Sequence, residues 1–128
     1  MTENEIAREI VDAAYKIHVA LGPGLLESVY EIVLEYELKK RGLKVVRQVS
    51  MPVVYETVKL AEGYRADMLV GDKVIVELKS VEEVSSVHKK QLLTYLRLAD
   101  KRLGLLINFG EALMKRGISR VVNGLQEG

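Results

Sequence analysis

Residues 74–78 have the sequence Val-Ile-Val-Glu-Leu, and this almost continuously apolar run constrains the fold more than any other feature of the chain. A strand that is apolar on both faces has to be covered on both faces, as central strands are when helices flank a sheet. Glutamate and lysine are seldom fully buried unless they are paired or bind a ligand, so Glu77 and the nearby Lys79 require a reason. The run therefore predicts an α/β fold and indicates where to look for function.

Three segments show the helical spacing of apolar residues. The first, residues 3–20, starts with the capping-box pair Thr2 and Glu5, and a Gly-Pro-Gly segment ends it because proline lacks an amide donor. The second follows directly, and Gly42 lies just beyond its basic last turn. The third covers residues 85–99. The apolar sets of the second and third helices are Leu26, Val29, Tyr30, Val33, Leu34 and Leu38, and Val87, Leu92, Tyr95, Leu96 and Ala99.

Apolar alternation with a period of two, and short apolar runs, predict strands elsewhere. The predicted strands are residues 43–49, resumed at 53–55 after Pro52, and 63–70, 74–79, 103–108 and 118–122. A helix between the third and fourth strands can return the chain so that these two strands lie parallel, which predicts a mixed sheet flanked by helices. No repeat and no linker rich in Gly, Ser or Pro divides residues 1–128, so we expect a single domain.

Composition excludes several classes of site. The chain has no cysteine and two histidines, so thiolate and iron–sulfur chemistry are excluded and any metal must be held mainly by carboxylates. A formal net charge of +1 argues against a protein that binds nucleic acid through bulk positive charge and leaves local patches as the source of such affinity. The apolar stretches are shorter than the roughly 20 residues of a membrane span and the N-terminus is acidic, so we expect a cytoplasmic protein with no membrane partner.

The predicted hairpin of residues 63–79 carries three groups that together suit a metal site. Asp67 lies on its first arm, while Glu77 and Lys79 are two residues apart on the second arm and so point to the same face. A pair of carboxylates, completed by water and a phosphate, suits Mg²⁺. A metal held in this way polarises a phosphodiester and activates a bound water, and a neighbouring lysine orients that water or offsets charge in the transition state.

This hypothesis depends on the register of the hairpin. A two-residue turn at positions 71–72 would place Asp67 opposite Val76, with its carboxylate on the wrong face of the sheet. A three-residue loop of residues 71–73, or a bulge in one arm, places Asp67 opposite Glu77 instead, and the hypothesis predicts one of the two. The plain alternative is that the glutamate and lysine of the second arm form a surface ion pair at the frayed end of the strand.

Several segments together resemble one known family. The sequence GLLESVY at residues 24–30 fits the signature of the GxxExxY family, and the stretches GYRADMLV, VIVELKS, HKKQLLTYL and GLLINFG are similar to its remaining blocks. That family is grouped with the PD-(D/E)xK nuclease superfamily, and the resemblance covers about residues 6–122. It implies a single restriction-endonuclease-like domain over residues 1–128, with a central mixed β-sheet flanked by helices.

The resemblance implies a role for each candidate residue of the metal site. Asp67 and Glu77 correspond to the acidic metal ligands of the superfamily and Lys79 to its catalytic lysine. Glu27 corresponds to the additional acid that many members bring to the metal; from the sequence alone it would be interpreted as an acid favoured by the helix macrodipole. The first acid follows Ala66 rather than the proline of the motif, which leaves the carboxylate intact.

Further candidates surround this site. The resemblance implies that Gln91 and Tyr95 are accessory residues near the substrate phosphate, with a polar edge on a packed helix as the alternative. Arg65 is a candidate for contacting phosphate, although pairing with a carboxylate is the commoner role of such an arginine. Lys89 and Lys90 lie near the start of the third helix. They are candidates for contacting a phosphate backbone, and the alternative is an ordinary solvated face.

These observations and the resemblance lead to one principal hypothesis, a Mg²⁺-dependent nuclease that hydrolyses DNA or another nucleic acid and also accepts Mn²⁺. Since little of the chain lies beyond the expected core, specificity would come from a homodimer, a partner or the structure of the nucleic acid. One alternative is a catalytically silent module that keeps the fold and binds nucleic acid. A second is an interaction protein in which the carboxylates are structural.

Overall fold

The computed structural model describes residues 1–126, which form one five-stranded sheet and four helices. The helices are α1 (Glu3–Leu21), α2 (Glu27–Lys40), α3 (Ser86–Ala99) and α4 (Met114–Gly117). The strands are β1 (Val45–Tyr55), β2 (Val58–Val70), β3 (Val74–Lys79), β4 (Leu103–Asn108) and β5 (Ile118–Val122). The strands lie in sequence order across the sheet, with β3 and β4 parallel and the other neighbours antiparallel. The predicted mixed sheet with β3 at its centre is confirmed.

Two elements differ from the sequence prediction. The sequence does not predict α4, because four residues are too few to show helical spacing. Strand β2 begins at Val58 rather than at residue 63, and β1 continues past Pro52, where its pairing with β2 shifts register. The extra length forms a two-stranded arm in which residues 54–63 are all exposed, so that stretch shows none of the inside–outside alternation from which strands are predicted.

Helices cover both faces of the sheet, and β3 contributes to the core on each side. Val74, Val76 and Leu78 pack in the cluster formed with α1 and α2, whereas Ile75 packs in the cluster formed with α3. All four side chains are at most 1% exposed. The expectation that β3 is buried on both faces is therefore confirmed.

The helical spacing identifies only part of the buried surface correctly. In α2 the residues Tyr30, Leu34 and Leu38 are fully buried as expected. Leu26 and Val29 are 74% and 37% exposed, so their predicted burial is wrong. The reason is that α2 carries apolar side chains on its outer face as well, so spacing alone does not distinguish the two faces. The same error occurs at Val87 of α3, which is 66% exposed.

Tyr30 joins the start of α2 to the core. Its ring stacks on Phe109, with 4.3 Å between the ring centroids and 5° between the ring planes. Its hydroxyl donates to the carbonyl oxygen of Gly22 (2.5 Å) and accepts from the backbone N–H of Leu25 (3.2 Å). Tyr30 thereby fixes the loop between α1 and α2, as expected of a buried tyrosine whose hydroxyl finds partners.

We predict that Tyr30→Phe lowers the free energy of unfolding by about 1 to 2 kcal/mol, because it leaves the two backbone groups of the loop without their partner. Tyr36→Phe is the matched control, since Tyr36 lies on the same helix and is 67% exposed. Urea unfolding of both variants and the parent measures the difference. Equal stabilities of the two variants would show that the hydroxyl of Tyr30 does not hold the loop.

Candidate active site

The hairpin of β2 and β3 has the register that the metal-site hypothesis requires. Val70 pairs with Val74, and Met68 pairs with Val76, so the connecting loop has three residues, 71–73. Two of them, Gly71 and Asp72, adopt a left-handed conformation with φ of +60°, which glycine and aspartate tolerate better than most residues. The same register, continued by one residue, places Asp67 opposite Glu77.

Beyond this point β2 and β3 separate, and the two carboxylates occupy the fork between them. Strand β3 continues to pair with β4 as far as Lys79, whereas its last partner on β2 is Met68. Asp67 Oδ2 accepts the backbone N–H of Leu78 (2.8 Å), and Glu77 Oε1 accepts the backbone N–H of Asp67 (3.4 Å). The side chains thus satisfy backbone donors that the interrupted ladder leaves open.

The environment of Glu77 favours its protonated form in the absence of a cation. Burial, together with repulsion from the carboxylate of Asp67 and a hydrogen bond with it, raises the pKa of Glu77 to about 9. Lys79 opposes the shift of this pKa, but Lys79 and Glu77 do not form an ion pair in the described part of the chain. The interpretation of Glu77 and Lys79 as a surface ion pair is therefore not supported.

Glu27 lies beside this fork without completing a three-acid cluster. It begins α2, and its Oε1 accepts the backbone N–H of Ser80 (3.3 Å), the residue that follows β3. Glu27 and Asp67 line one small pocket. Within residues 1–126, however, no three His, Asp or Glu side chains lie close enough together to hold a metal ion. The predicted set of Asp67, Glu77 and Glu27 is therefore not assembled as a cage, and each carboxylate instead accepts one backbone N–H.

The donor set nevertheless fits a hard divalent cation. Mg²⁺ is commonly bound by one or two carboxylates, with waters and substrate phosphate completing its octahedron. Asp67 and Glu77, which lie opposite each other at the fork, offer two such oxygen donors, and Glu27 lines a pocket with Asp67. A cation bound there would replace the proton on Glu77, because it offsets the repulsion between the two carboxylates.

The same pocket contains residues that the sequence analysis missed. Glu31 is 8% exposed, and its carboxylate accepts hydrogen bonds from Arg47 (2.7 Å) and from the side-chain amide of Gln48 (2.8 Å). Gln48 has a φ of +53°, and the register of β1 and β2 places it opposite Asp67. Glu31 follows Glu27 by one helical turn, so this spacing indicates that both side chains lie on the same face of α2. No sequence signal marks the conformation of Gln48.

On α3, Tyr95 is close to both acids of the fork. Burial raises the pKa of Tyr95, with further contributions from the charges of Glu77 and Asp67, while a hydrogen bond from Gln91 acts in the opposite direction. Tyr95 stacks on Tyr64 of β2, with 4.0 Å between ring centroids, and the hydroxyl of Tyr64 donates to the Tyr95 carbonyl oxygen (2.8 Å). The structure therefore brings Gln91 and Tyr95 near the acids, and Tyr64 is a neighbour that the sequence does not reveal.

The basic candidates lie on the exposed surface. Arg65 is exposed and pairs with Glu62 at 3.8 Å, the commoner of the two roles considered for it. Lys89 and Lys90 are exposed in the first turns of α3. Contact of these three residues with nucleic acid stays a prediction.

Comparison with known proteins identifies a family over nearly the whole chain. A family model described as the PD-(D/E)XK nuclease superfamily matches residues 4–121. Neither a curated protein nor a solved structure matches the chain. The matched range includes the fork, α2 and α3.

We predict that the metal-free protein loses stability as pH rises from 4.5 towards about 9, the range between the ordinary pKa of a glutamate and that of Glu77 in the fold. Over this range the native state retains a proton that the unfolded chain has lost, so raising the pH favours unfolding, by at most about 1.4 kcal/mol per pH unit for one proton.

Urea unfolding at several pH values in the presence of EDTA measures this dependence. Glu77→Gln should flatten it, whereas Glu83→Gln, which changes an exposed loop residue, should not. A Glu77→Gln variant with the slope of the parent would contradict the prediction.

Proposed function

Because the chain belongs to the PD-(D/E)XK nuclease superfamily, we propose that it is a metal-dependent nuclease that hydrolyses phosphodiester bonds of nucleic acid, with DNA as the principal substrate. The observation that supports this most directly is the opposition of Asp67 and Glu77 at the fork, with Lys79 two residues further along β3. The GLLESVY segment supports placement in the GxxExxY group, since Tyr30 holds the loop that leads into α2 and Glu27 contacts the residue that follows β3.

Each residue then has a defined task. Asp67 and Glu77, with Glu27 beside them, would hold Mg²⁺ or Mn²⁺. When bound, this cation would polarise a phosphoryl oxygen and lower the pKa of the attacking water. Lys79 orients that water or offsets negative charge, since its ammonium forms no ion pair among residues 1–126. Gln91 and Tyr95 position the scissile phosphate from the α3 side. Arg65, Lys89 and Lys90 contact the flanking backbone, and a second copy of the chain in a homodimer adds to substrate selection.

One observation favours a second candidate, a module that binds nucleic acid without cleaving it. The carboxylates of Asp67, Glu77 and Glu27 are each occupied by a backbone donor, and they do not form a ready three-acid cage among residues 1–126. Such a protein would bind DNA in a salt-dependent way and show no turnover with any metal.

The first prediction of the nuclease proposal concerns metal binding. Calorimetric titration should show binding of Mg²⁺ and Mn²⁺ to the parent and its loss in Asp67→Asn/Glu77→Gln. Binding near neutral pH should release protons, because Glu77 is protonated beforehand. Repeating the titration in two buffers of different ionisation enthalpy detects this release.

Glu82→Gln/Glu83→Gln is the matched control, because it removes two carboxylates from an exposed loop. It should bind metal like the parent. A parent that binds neither cation, with or without an oligonucleotide, would contradict the proposed metal site.

The second prediction concerns Lys79. Lys79→Ala should reduce cleavage of DNA by at least about 100-fold, the usual magnitude for removal of a group that stabilises or orders the transition state, while metal affinity changes little. Initial rates on plasmid, single-stranded DNA and RNA, each with Mg²⁺ and with Mn²⁺, measure the effect. Lys115→Ala serves as the control, since Lys115 is an exposed lysine on α4.

Full cleavage by Lys79→Ala would refute the role of this lysine. Absence of cleavage by the parent, combined with salt-dependent DNA binding, would favour the non-cleaving module.

A further inference from the structure

Ser80 links the end of β3 to the start of α2 through two hydrogen bonds. Its hydroxyl donates to the carbonyl oxygen of Leu25 (2.6 Å), and its backbone N–H donates to Glu27 Oε1 (3.3 Å). Ser80 directly follows Lys79 in the chain. One residue therefore connects the element that carries Glu77 and Lys79 with the element that carries Glu27.

The start of α2 has few other restraints. Its N-cap residue, Leu26, provides no side-chain cap, and Gly24 before it has a φ of +104°. Tyr30 holds the far side of this loop, at Gly22 and Leu25. Within residues 1–126, Ser80 alone supplies the hydrogen bonds that reach residues 23–28 from the side of the sheet. The carboxylate of Glu27 is exposed and depends on this contact for its direction.

Asn108 holds Ser80 in place from the neighbouring strand. This side chain is fully buried at the end of β4, where its Oδ1 accepts from the N–H groups of Val81 and Gly110, both at 3.0 Å. Its Nδ2 donates to the Val81 carbonyl oxygen (2.9 Å). A Cβ atom at Gly110 would lie 2.2 Å from that oxygen, so the approach requires glycine. Asn108 thereby holds both the N–H and the carbonyl group of Val81. Because the N–H of Val81 belongs to the peptide bond that joins it to Ser80, Ser80 is held as well.

We propose that Ser80 is a positioning residue that acts through Glu27. In the Ser80 latch, defined as Ser80 with Leu25 and Glu27, the hydroxyl holds the start of α2 against the end of β3 and so sets where the Glu27 carboxylate lies relative to Asp67. The effect of the latch on metal binding and cleavage rests on the proposed function, whereas its effect on the start of α2 does not. Asn108 supports the latch through Val81.

The first test is Ser80→Ala, which removes the hydroxyl and leaves the backbone N–H. Loss of one hydrogen bond should weaken Mg²⁺ or Mn²⁺ affinity by about fivefold, and Ser80→Thr, which keeps a hydroxyl, should restore it. Ser50→Ala is the matched control, since it removes an exposed serine hydroxyl on β1 that is bonded to Glu62 of β2. If the parent binds metal, an equal loss in Ser50→Ala, or no loss in Ser80→Ala, would overturn the proposal.

A double-mutant cycle distinguishes positioning through Glu27 from a general structural role. If Ser80 acts through Glu27, adding Ser80→Ala to Glu27→Gln should not reduce metal affinity or cleavage rate further. Losses that multiply independently in the double variant would overturn the proposal.

Hydrogen exchange separates failure of the latch from failure of the nuclease proposal, because it needs neither metal nor substrate. In Ser80→Ala, backbone amides of residues 24–30 should exchange about fivefold faster while those of β4 keep their protection. Unchanged exchange at residues 24–30 overturns the latch. Faster exchange there in a protein that binds no metal supports the latch and counts against the proposed function alone.

Discussion

The penalty for burying charge on the central strand controls the arrangement of this molecule. Glu77 lies on the central strand β3 of a sheet that helices cover on both faces. An isolated carboxylate would be strongly disfavoured there. The fold meets this penalty by keeping a proton on Glu77, whose pKa is raised to about 9, and by ending the β2–β3 pairing next to it. Asp67 then accepts the backbone N–H of Leu78, and Glu77 accepts that of Asp67. The gap between β2 and β3 is also the place where the proposed cation and phosphate would bind.

The periodicity of apolar residues is sufficient to predict the helices and strands of the scaffold, because packing of helices against a sheet requires that periodicity. The boundaries of α1, α3, β3, β4 and β5 all agree with prediction to within one residue. The sequence alone does not determine the register of the hairpin, since loops of two and of three residues are both compatible with it, and only the second brings Asp67 opposite Glu77. The burial of α2 was partly wrong, because its outer face is apolar as well.

The candidate site is less predictable because it combines residues that are distant in the chain. The resemblance to a known family pointed to Glu27, Gln91 and Tyr95, and the structure brings all three near the fork. Tyr64 and Ser80 lie in two of the family-like segments, but the sequence assigns neither a role. Their contacts with Tyr95 and Leu25 become visible only when β2, β3 and the helices are assembled. Local sequence rules describe elements, whereas these contacts depend on how the elements meet.

The parallel pairing of β3 with β4 has a consequence for the order of events during synthesis. The proposed acids and Lys79 all precede β4 in the chain, and domains emerging from the ribosome appear N-terminal end first. Until residues 103–108 are available, β3 lacks the neighbour along its second edge, and Asn108 is absent from its place beside Val81. Translation therefore supplies every proposed active-site group before the strand that completes the pairing of β3, so a partly synthesised chain does not yet have the geometry of the completed fold.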